Sequence, residues 1–166
     1  MDLTRETVLG RTGAAVDVDV PRGWEIARPD EGPFAFVSRM PDAVAGPFAD
    51  SLVVGVEPRP DGVPDGIEAV ASMALLQLHA SVPDLHLIDD RPALVDGFEG
   101  RFRALLQTVP GGITVVVRQL LAVADESLVT VALTSFPFRD RVLAPVAEEI
   151  LTGVGIRPGT RPQEDR

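Results

Sequence analysis

Residues Gly97–Ser135 read "GFEGRFRALLQTVPGGITVVVRQLLAVADESLVTVALTS". Runs of β-branched and other apolar residues, the first of them alternating with charged side chains, predict three strands in this stretch. The runs are Gly97–Thr108, Ile113–Ala124 and Ser127–Ser135. Only the turns "VPGG" and "DES" separate them, and such short connections join antiparallel neighbours, because parallel strands need a long crossover. The stretch therefore predicts an antiparallel meander.

Earlier in the chain, more stretches predict strands. Val16, Val18 and Val20 alternate with aspartates, which is the pattern of a strand with one wet face. Pro21 ends this strand, since proline cannot donate to a strand ladder. The other candidates are "FAFVS" (Phe34–Ser38), "SLVVGVE" (Ser51–Glu57), and "LHLID" and "PALVD" on either side of Arg91. The intervening "DDRP" is typical of a turn.

Two segments have the periodicity of a helix. The first is Ile67–Val82, and Asp65 is placed to cap its start. The second is a C-terminal helix that stops near Gly153, with Pro145 in its first turn or kinking it. The apolar positions of the first helix are Ile67, Val70, Ala71, Ala74, Leu75, Leu78 and Val82, and those of the second are Val142, Leu143, Val146, Ala147, Ile150 and Leu151.

The order of strands, helix, strand meander and helix predicts an α+β fold, a mainly antiparallel sheet covered by helices. A chain of 166 residues suits one domain with a sizeable core. We therefore expect a single domain over residues 1–156, followed by a polar, flexible tail over residues 157–166.

The helix predicted at Ile67–Val82 is also apolar on its other side. At about 100° per residue, a second stripe lies almost opposite the core stripe. It consists of Ala69, Met73, Leu76 and Ala80. Such a stripe is covered by another segment of the chain, or contacts a partner, or is a harmless scatter of small apolar residues. We take these four residues as candidates for partner binding, with Met73 and Leu76 as the anchors, because methionine adapts to irregular surfaces.

The composition restricts the kinds of partner. A formal net charge of −10 argues against nucleic acid and anionic lipid, because affinity for phosphates needs clustered cations. A lysine-free chain rich in Ala, Gly, Pro, Val and Arg is typical of G+C-rich genomes such as those of actinobacteria. The start "MDLTRETVLG" lacks the pattern of a signal peptide, and no apolar run is long enough to span a membrane. The expected location is the cytoplasm.

Residues suited to catalysis are sparse. The sequence has no cysteine and no lysine, which excludes a thiol nucleophile, a Schiff base and a P-loop, and no serine lies in a G-x-S-x-G elbow. A metal site at His79 and His86 would need nearby carboxylates to converge across Pro83, and solvated histidines are the simpler interpretation. Those carboxylates are Asp84, Asp89 and Asp90. The sequence therefore predicts no catalytic, cofactor-binding or metal-binding residue.

Four charged residues of the predicted meander suggest one polar strand face. They are Glu99, Arg101, Arg103 and Arg118. This face could bind an anion, or its charges could pair across strands for a few tenths to about 1 kcal/mol each.

Two motifs connect the sequence with a known family. "VDVPRGW" ends the first predicted strand, and "PFADSLVVGVEP" (Pro47–Pro58) contains a later one. With the element order, they resemble the PsbP-like superfamily, including DcrB-like proteins and the LpqN-type lipoproteins of actinobacteria, over Ala14–Ile156. The resemblance implies an α/β/α sandwich in which Trp24 plugs the end of the first strand instead of stacking on a ligand. LpqN-type lipoproteins carry a signal peptide and a lipidated cysteine; this sequence has neither, so their membrane anchoring does not carry over.

The same resemblance implies binding without catalysis, because members bind proteins, serve as accessory subunits or act as chaperones for secreted effectors. We therefore expect a non-enzymatic module that binds another protein or a second copy of itself, in one version a secretion-related chaperone or adaptor. One alternative is a carrier of a small molecule or lipid in a cavity between sheet and helix. The other is an enzyme whose site the sequence does not announce.

Overall fold

The computed structural model describes residues 1–82 and 84–157, and within them the chain forms ten strands and three helices. In chain order they are β1 (Leu3–Leu9), β2 (Ala15–Pro21), β3 (Glu25–Ala27), β4 (Phe36–Arg39), α1 (Asp42–Ala45), β5 (Ser51–Pro58), α2 (Ile67–Ser81), β6 (His86–Val95), β7 (Phe98–Val109), β8 (Ile113–Ala124), β9 (Ser127–Ser135), α3 (Pro137–Thr152) and β10 (Gly155–Arg157). The predicted α+β class is confirmed.

Seven strands form the main sheet in the order β3-β4-β5-β9-β8-β7-β6, and every neighbouring pair is antiparallel. The meander predicted from Gly97–Ser135 supplies β7, β8 and β9. Tight turns connect these strands, and the turn between β7 and β8 has Gly111 and Gly112 at positive φ, which glycine tolerates without strain. The central strands β8 and β9 read as nearly continuous apolar runs, because both of their faces are covered.

Each face of the main sheet packs against a different layer. The α3 face, which includes Leu120 and Ala122 of β8, packs against α3 and against a small sheet. The α2 face, which includes Val115 and Val117 of β8, packs against α2. This layering agrees with the predicted sandwich, in which helices cover a mainly antiparallel sheet.

The small sheet has the order β1-β2-β10 and was not foreseen as a separate sheet. β2 turns Val16, Val18 and Val20 into the core, as their alternation predicted, and its aspartates face outward. The hairpin of β1 and β2 packs closely on β5 at Gly10, where a Cβ atom would lie 2.2 Å from Cγ1 of Val56. Any side chain at position 10 would therefore push the two sheets apart.

The local predictions need several corrections. "DDRP" lies inside β6 and not in a turn. Pro92 is tolerated there because β6 is an edge strand, so the missing N–H interrupts no ladder in the centre of the sheet. A bulge follows Leu87. Asp65 does not cap α2, because it pairs with Arg59 at 2.6 Å and the N-cap residue is Gly66. α3 begins at Pro137, well before Val142, so Pro145 lies in the helix interior and not in its first turn.

The predicted tail begins one residue too early. Arg157 belongs to β10, where it pairs with Ala15 and donates a hydrogen bond to Asp17. The rest of the predicted tail, residues 158–166, lies outside the described residues, and so does Pro83.

Candidate protein-binding surfaces

α2 lies on its sheet through the predicted core stripe. Ile67, Val70 and Ala71 are buried, while Leu75 and Leu78 pack against the apolar residues of β7, β8 and β9. The first half of the helix is therefore held more deeply than the second. This packing leaves the opposite side of α2 facing away from the sheet.

The outer stripe of α2 (Ala69, Met73, Leu76 and Ala80) is partly open to solvent. Leu76 is 71% exposed and Ala80 is exposed as well, whereas Ala69 and Met73 are half-buried. One of the three alternatives was that another segment of the chain covers this stripe. This alternative does not hold for Leu76, because no described segment buries its side chain. Whether the stripe is a contact surface stays a prediction.

Charged residues of β6 and β7 fix how α2 is rotated on the sheet. The Arg101 guanidinium donates to Glu68 at 2.7 and 2.8 Å and to Asp90 at 2.7 Å. Arg103, only 4% exposed, donates to the main-chain carbonyl of Ala71 at 2.7 Å. Its Nε also lies 3.3 Å from Asp90, close enough for charge attraction but not aligned for a hydrogen bond. The hydrogen bonds that Arg101 donates to Asp90 and Glu68 raise its pKa, so the guanidinium stays charged. These contacts hold the outer stripe in one orientation.

The arginines expected to share one face lie on opposite faces. Arg103 pairs across strands with Gln119, while its neighbour in sequence, Ala104, pairs with Arg118. Arg118 therefore points to the α3 face, where Asp140 accepts from it at 2.8 and 3.0 Å and raises its pKa. The anion site considered for these residues is not formed, because successive residues of a strand point to opposite sides.

The two histidines are also apart. His79 lies exposed near the end of α2 and His86 lies exposed at the start of β6. Asp84 accepts hydrogen bonds from the hydroxyl and main-chain N–H of Thr108, which lower its pKa. Asp89 and Asp90 pair with arginines. Residues 1–82 and 84–157 contain no group of three or more side chains able to hold a metal ion.

A second exposed apolar patch lies on α3. Phe138 is 88% exposed and Val142, one turn later, is 68% exposed. The periodicity of α3 placed Val142 among its apolar positions and left Phe138 unassigned. The missed signal is Pro137, which favours a helix start and so places Phe138 in the first turn. With this earlier start, Leu143, Ala147, Ile150 and Leu151 form the buried side.

The first turn of α3 is anchored by a fully buried carboxylate. Asp50 is 0% exposed; it accepts from the Phe136 N–H at 2.9 Å and from Arg139 at 2.6 and 2.8 Å. Arg139 also donates to the carbonyl of Ala45 at 2.9 Å and to that of Phe48. The hydrogen bonds that Arg139 donates to Asp50 raise the pKa of Arg139. This network ties the α1 segment to α3 and fixes the base from which Phe138 projects.

A groove of about 750 Å³ lies at the end of the molecule that contains the β1–β2 hairpin. One wall is β1 at Thr7–Leu9, the other is the segment 28–35, and the C-terminal end of β5 forms the floor. The alternative of a small-molecule or lipid carrier calls for a cavity between sheet and helix, whereas this groove lies between the two sheets and a loop. A second groove of about 620 Å³ adjoins it and shares Arg11 and Pro58.

Comparison with known proteins identifies the fold. No protein-family profile matches the sequence, and no curated protein matches it either. LpqN, involved in cell envelope biogenesis of Mycobacterium tuberculosis, superposes with a TM-score of 0.69 at 15% identity, over 95% of this chain and 93% of that one. The cyanobacterial PsbP (CyanoP) of Synechocystis superposes with a TM-score of 0.66 at 13% identity, over 93% and 92%. The chain has the PsbP-like fold.

A further structural neighbour is a Ran-binding protein. The Ran-binding protein Mog1p of Saccharomyces cerevisiae superposes with a TM-score of 0.57 at 12% identity, over 88% of this chain and 85% of that one. At these identities the likeness establishes architecture alone. None of the helices in residues 1–82 and 84–157 has the length and hydropathy to cross a membrane.

Trp24 lies where the motif of the PsbP-like fold predicted it, directly after β2. The main-chain N–H of Trp24 donates to the carbonyl of Pro21 at 3.3 Å. The half-buried indole packs against the main core. The indole thus covers the end of the core without being enclosed by it. This placement agrees with a structural plug more than with a ligand-stacking residue.

Proposed function

We propose that this protein is a non-enzymatic module that binds another protein. The observation that carries the proposal is the exposure of large apolar side chains on the outer faces of both covering helices. Leu76 projects from α2, while Phe138 and Val142 project from α3. Water solvates such side chains poorly, and exposed apolar patches commonly mark protein contacts.

The charged residues support binding over catalysis because the most buried of them are used for structure. Asp50, Asp90 and Arg103 each join two or more elements through hydrogen bonds or ion pairs. A general acid or base needs a group that is free to exchange a proton with a substrate. Carboxylates whose oxygens already accept hydrogen bonds from arginines inside the fold are poorly suited to that role.

An adaptor is the version of this function that we favour. α2 and α3 cover opposite faces of the sheet, so their exposed residues could contact two proteins at once. Among structures of the same fold, one is a Ran-binding protein and another is involved in cell envelope biogenesis. A secretion-related chaperone or adaptor is compatible with these roles.

The outer stripe of α2 can be tested with charges of opposite sign. The test variant is Met73→Glu with Leu76→Arg, and the control is Ser72→Glu with Gln77→Arg, which places the same charges at exposed polar positions of the same helix. Each protein is immobilised and exposed to host lysate, and retained proteins are quantified by mass spectrometry. A genuine partner is then purified and titrated. We expect the test variant to bind it about 10- to 100-fold more weakly, since two anchor residues contribute roughly 2 kcal/mol or more, and the control to bind like the unmodified chain.

Folding must be checked separately because Met73 is half-buried. Circular dichroism and denaturant melts of both variants provide this check, and Leu76→Glu alone tests the most exposed position. Equal binding by all four proteins would show that the stripe is not the contact surface. Unfolding of the Met73 variant together with normal binding by Leu76→Glu would mean that the stripe belongs to the core.

A further inference from the structure

β1 is an edge strand of the small sheet, and among residues 1–82 and 84–157 it forms ladder hydrogen bonds with β2 alone. At one end of this hairpin, Gly10 N–H donates to the carbonyl of Ala14 at 2.8 Å; at the other, Arg22 N–H donates to that of Asp2 at 2.9 Å. Hydrogen-bonded pairs alternate along an antiparallel ladder, so these bonds set the phase for the whole strand. Even-numbered residues of β1 bond to β2, and the main-chain groups of Arg5, Thr7 and Leu9 point outward.

Those outward groups are open to a further strand. Within the described residues, no hydrogen bond from another segment engages the main chain of Arg5, Thr7 or Leu9. Thr7 and Leu9 are exposed, and both line the groove of about 750 Å³. Unpaired strand edges attract extended chains, because each residue offers one donor and one acceptor at a fixed spacing.

The groove beside this edge is held open by contacts at both ends. Arg28 pairs with Glu6 of β1 at 2.9 Å and also lies over the ring of Phe36, 5.2 Å from its centre. Near the hairpin turn, Arg11 donates to the carbonyl of Gly32. The segment 28–35 also rests on β5 at Gly55, where a Cβ atom would lie 3.0 Å from the carbonyl oxygen of Pro33. The wall opposite β1 is therefore preformed, which lowers the entropic cost of binding.

The charges that remain around the groove are mainly negative. Arg28 is neutralised by Glu6, and Arg59 of the adjoining groove is neutralised by Asp65. The carboxylates of Asp30 and Glu57 line the groove, and that of Asp61 lines the adjoining groove. None of these three carboxylates forms an ion pair or hydrogen bond with another described residue. Arg11 is the lining cation that pairs with a carbonyl instead of a carboxylate. The net charge of −10 adds a longer-range attraction for cations.

We propose that this groove binds an extended, basic segment of a partner protein as an additional strand on β1, an inference that rests on the proposed function. The main chain of Thr7 and Leu9 would supply the ladder hydrogen bonds. Asp30, Glu57 and Asp61 would select lysine or arginine side chains. A segment of about five or six residues spans this edge, since a strand advances about 3.4 Å per residue.

A synthetic peptide tests the proposal directly. The probe is acetyl-Lys-Thr-Lys-Val-Lys-Thr-Lys-Val-amide, titrated calorimetrically at about 50 mM and 150 mM salt. One control peptide has N-methyl groups on alternate residues, in both possible phases, so that the charge is kept and half of the main-chain donors are lost. The other control replaces each lysine with glutamate. We expect the unmodified peptide to bind at least about tenfold more tightly than the glutamate peptide and the N-methylated peptide of one phase.

Matched variants of the protein locate the site. Leu9→Pro removes an outward N–H, and its control Leu9→Ala keeps that N–H while also shortening the exposed side chain. Asp30→Asn with Glu57→Gln removes two charges at the groove, and its control, Glu99→Gln with Glu149→Gln, removes two exposed charges elsewhere. We expect Leu9→Pro and the groove charge variant to lose binding about tenfold or more and both controls to keep it.

Three results would overturn the proposal: no binding at millimolar peptide, equal binding to Leu9→Pro and Leu9→Ala, or a dimer that Leu9→Pro dissociates and the peptide does not. The last result would assign the edge to a second copy of the chain.

The α2 variant separates this proposal from the proposed function. If charging the α2 stripe abolishes partner binding while no peptide binds the groove, the function stands and the groove assignment fails. Peptide binding that depends on Leu9, with no effect of the α2 charges, would support the groove and not the stripe.

Discussion

At the scale of single residues, Asp17 shows how side chains connect the strands of the small sheet. Its carboxylate on β2 accepts from Thr7 of β1 at 2.6 Å and from Arg157 of β10 at 2.8 Å. The hydrogen bond from Thr7, aided by Arg157, holds the pKa of Asp17 below its usual range. The residue therefore stabilises all three strands while it is ionised.

Asp17 should make the stability depend on pH. Because its folded pKa is lower than its unfolded pKa of about 3.9, its contribution is complete above that value and is lost as the pH falls through the folded pKa. Asp17→Asn should therefore lower Tm near pH 7, and the difference from the unmodified protein should shrink below about pH 4. Thermal melts across the acid range measure this effect. A difference in Tm that stays constant with pH would show that the charge of Asp17 contributes nothing.

Trp24 should contribute less than an enclosed aromatic residue. Full burial would make Trp24→Ala cost about 3–5 kcal/mol of unfolding free energy. Because the indole is only half-buried, we expect a cost of about 2 kcal/mol. Denaturant melts give the cost, and the emission of this sole tryptophan should lie between that of buried and of free indole. A cost below about 0.5 kcal/mol with fully solvated emission would contradict the structural role.

At the scale of elements, buried polar contacts decide how the helices are placed on the sheet. α2 is oriented by Arg101 and Arg103, which reach it from β7. α3 is oriented by Asp50, which reaches its first turn from the segment before β5. Apolar packing alone would tolerate small rotations of either helix, whereas these directional contacts do not. The exposure of Leu76 and Phe138 is a consequence of them.

Removal of Asp50 should destabilise the attachment of α3. Asp50→Ala leaves the Arg139 guanidinium without its carboxylate at a partly buried position, and we expect a loss of about 3–5 kcal/mol. The control is Asp42→Ala in the neighbouring helix α1, whose carboxylate is 79% exposed and pairs with Arg39. This control should cost about 0–1 kcal/mol. Urea denaturation compares the two variants, and similar losses from both would show that the Asp50 network is not an anchor.

At the scale of the whole molecule, the candidate binding features occupy three separate places. The α2 stripe and the α3 patch lie on opposite faces of the main sheet, and the groove lies where the small sheet meets the loop 28–35. They need not compete for one partner. Three separate surfaces support the proposed adaptor more than they support a carrier, which would bind its ligand in a single deep pocket.

The sequence by itself determined most of the local elements and the fold class. Alternation in Val16–Val20 and the apolar runs of β8 and β9 identified strands, and the periodicity of Ile67–Val82 identified α2 with its inner and outer stripes. These patterns are local, because the period of a strand or a helix is fixed by its own backbone. Short turns also made the meander antiparallel without any knowledge of distant residues.

Only the tertiary structure decided which residues come together. β1 and β10 carry weak local patterns and become strands by pairing with β2, the latter across most of the chain. Arg103 and Arg118 looked alike in sequence and were separated by the register between β7 and β8. The groove and the free edge of β1 depend on contacts between distant segments, such as Arg28 with Glu6. Long-range pairing follows from the packing of the whole chain, which no local period encodes.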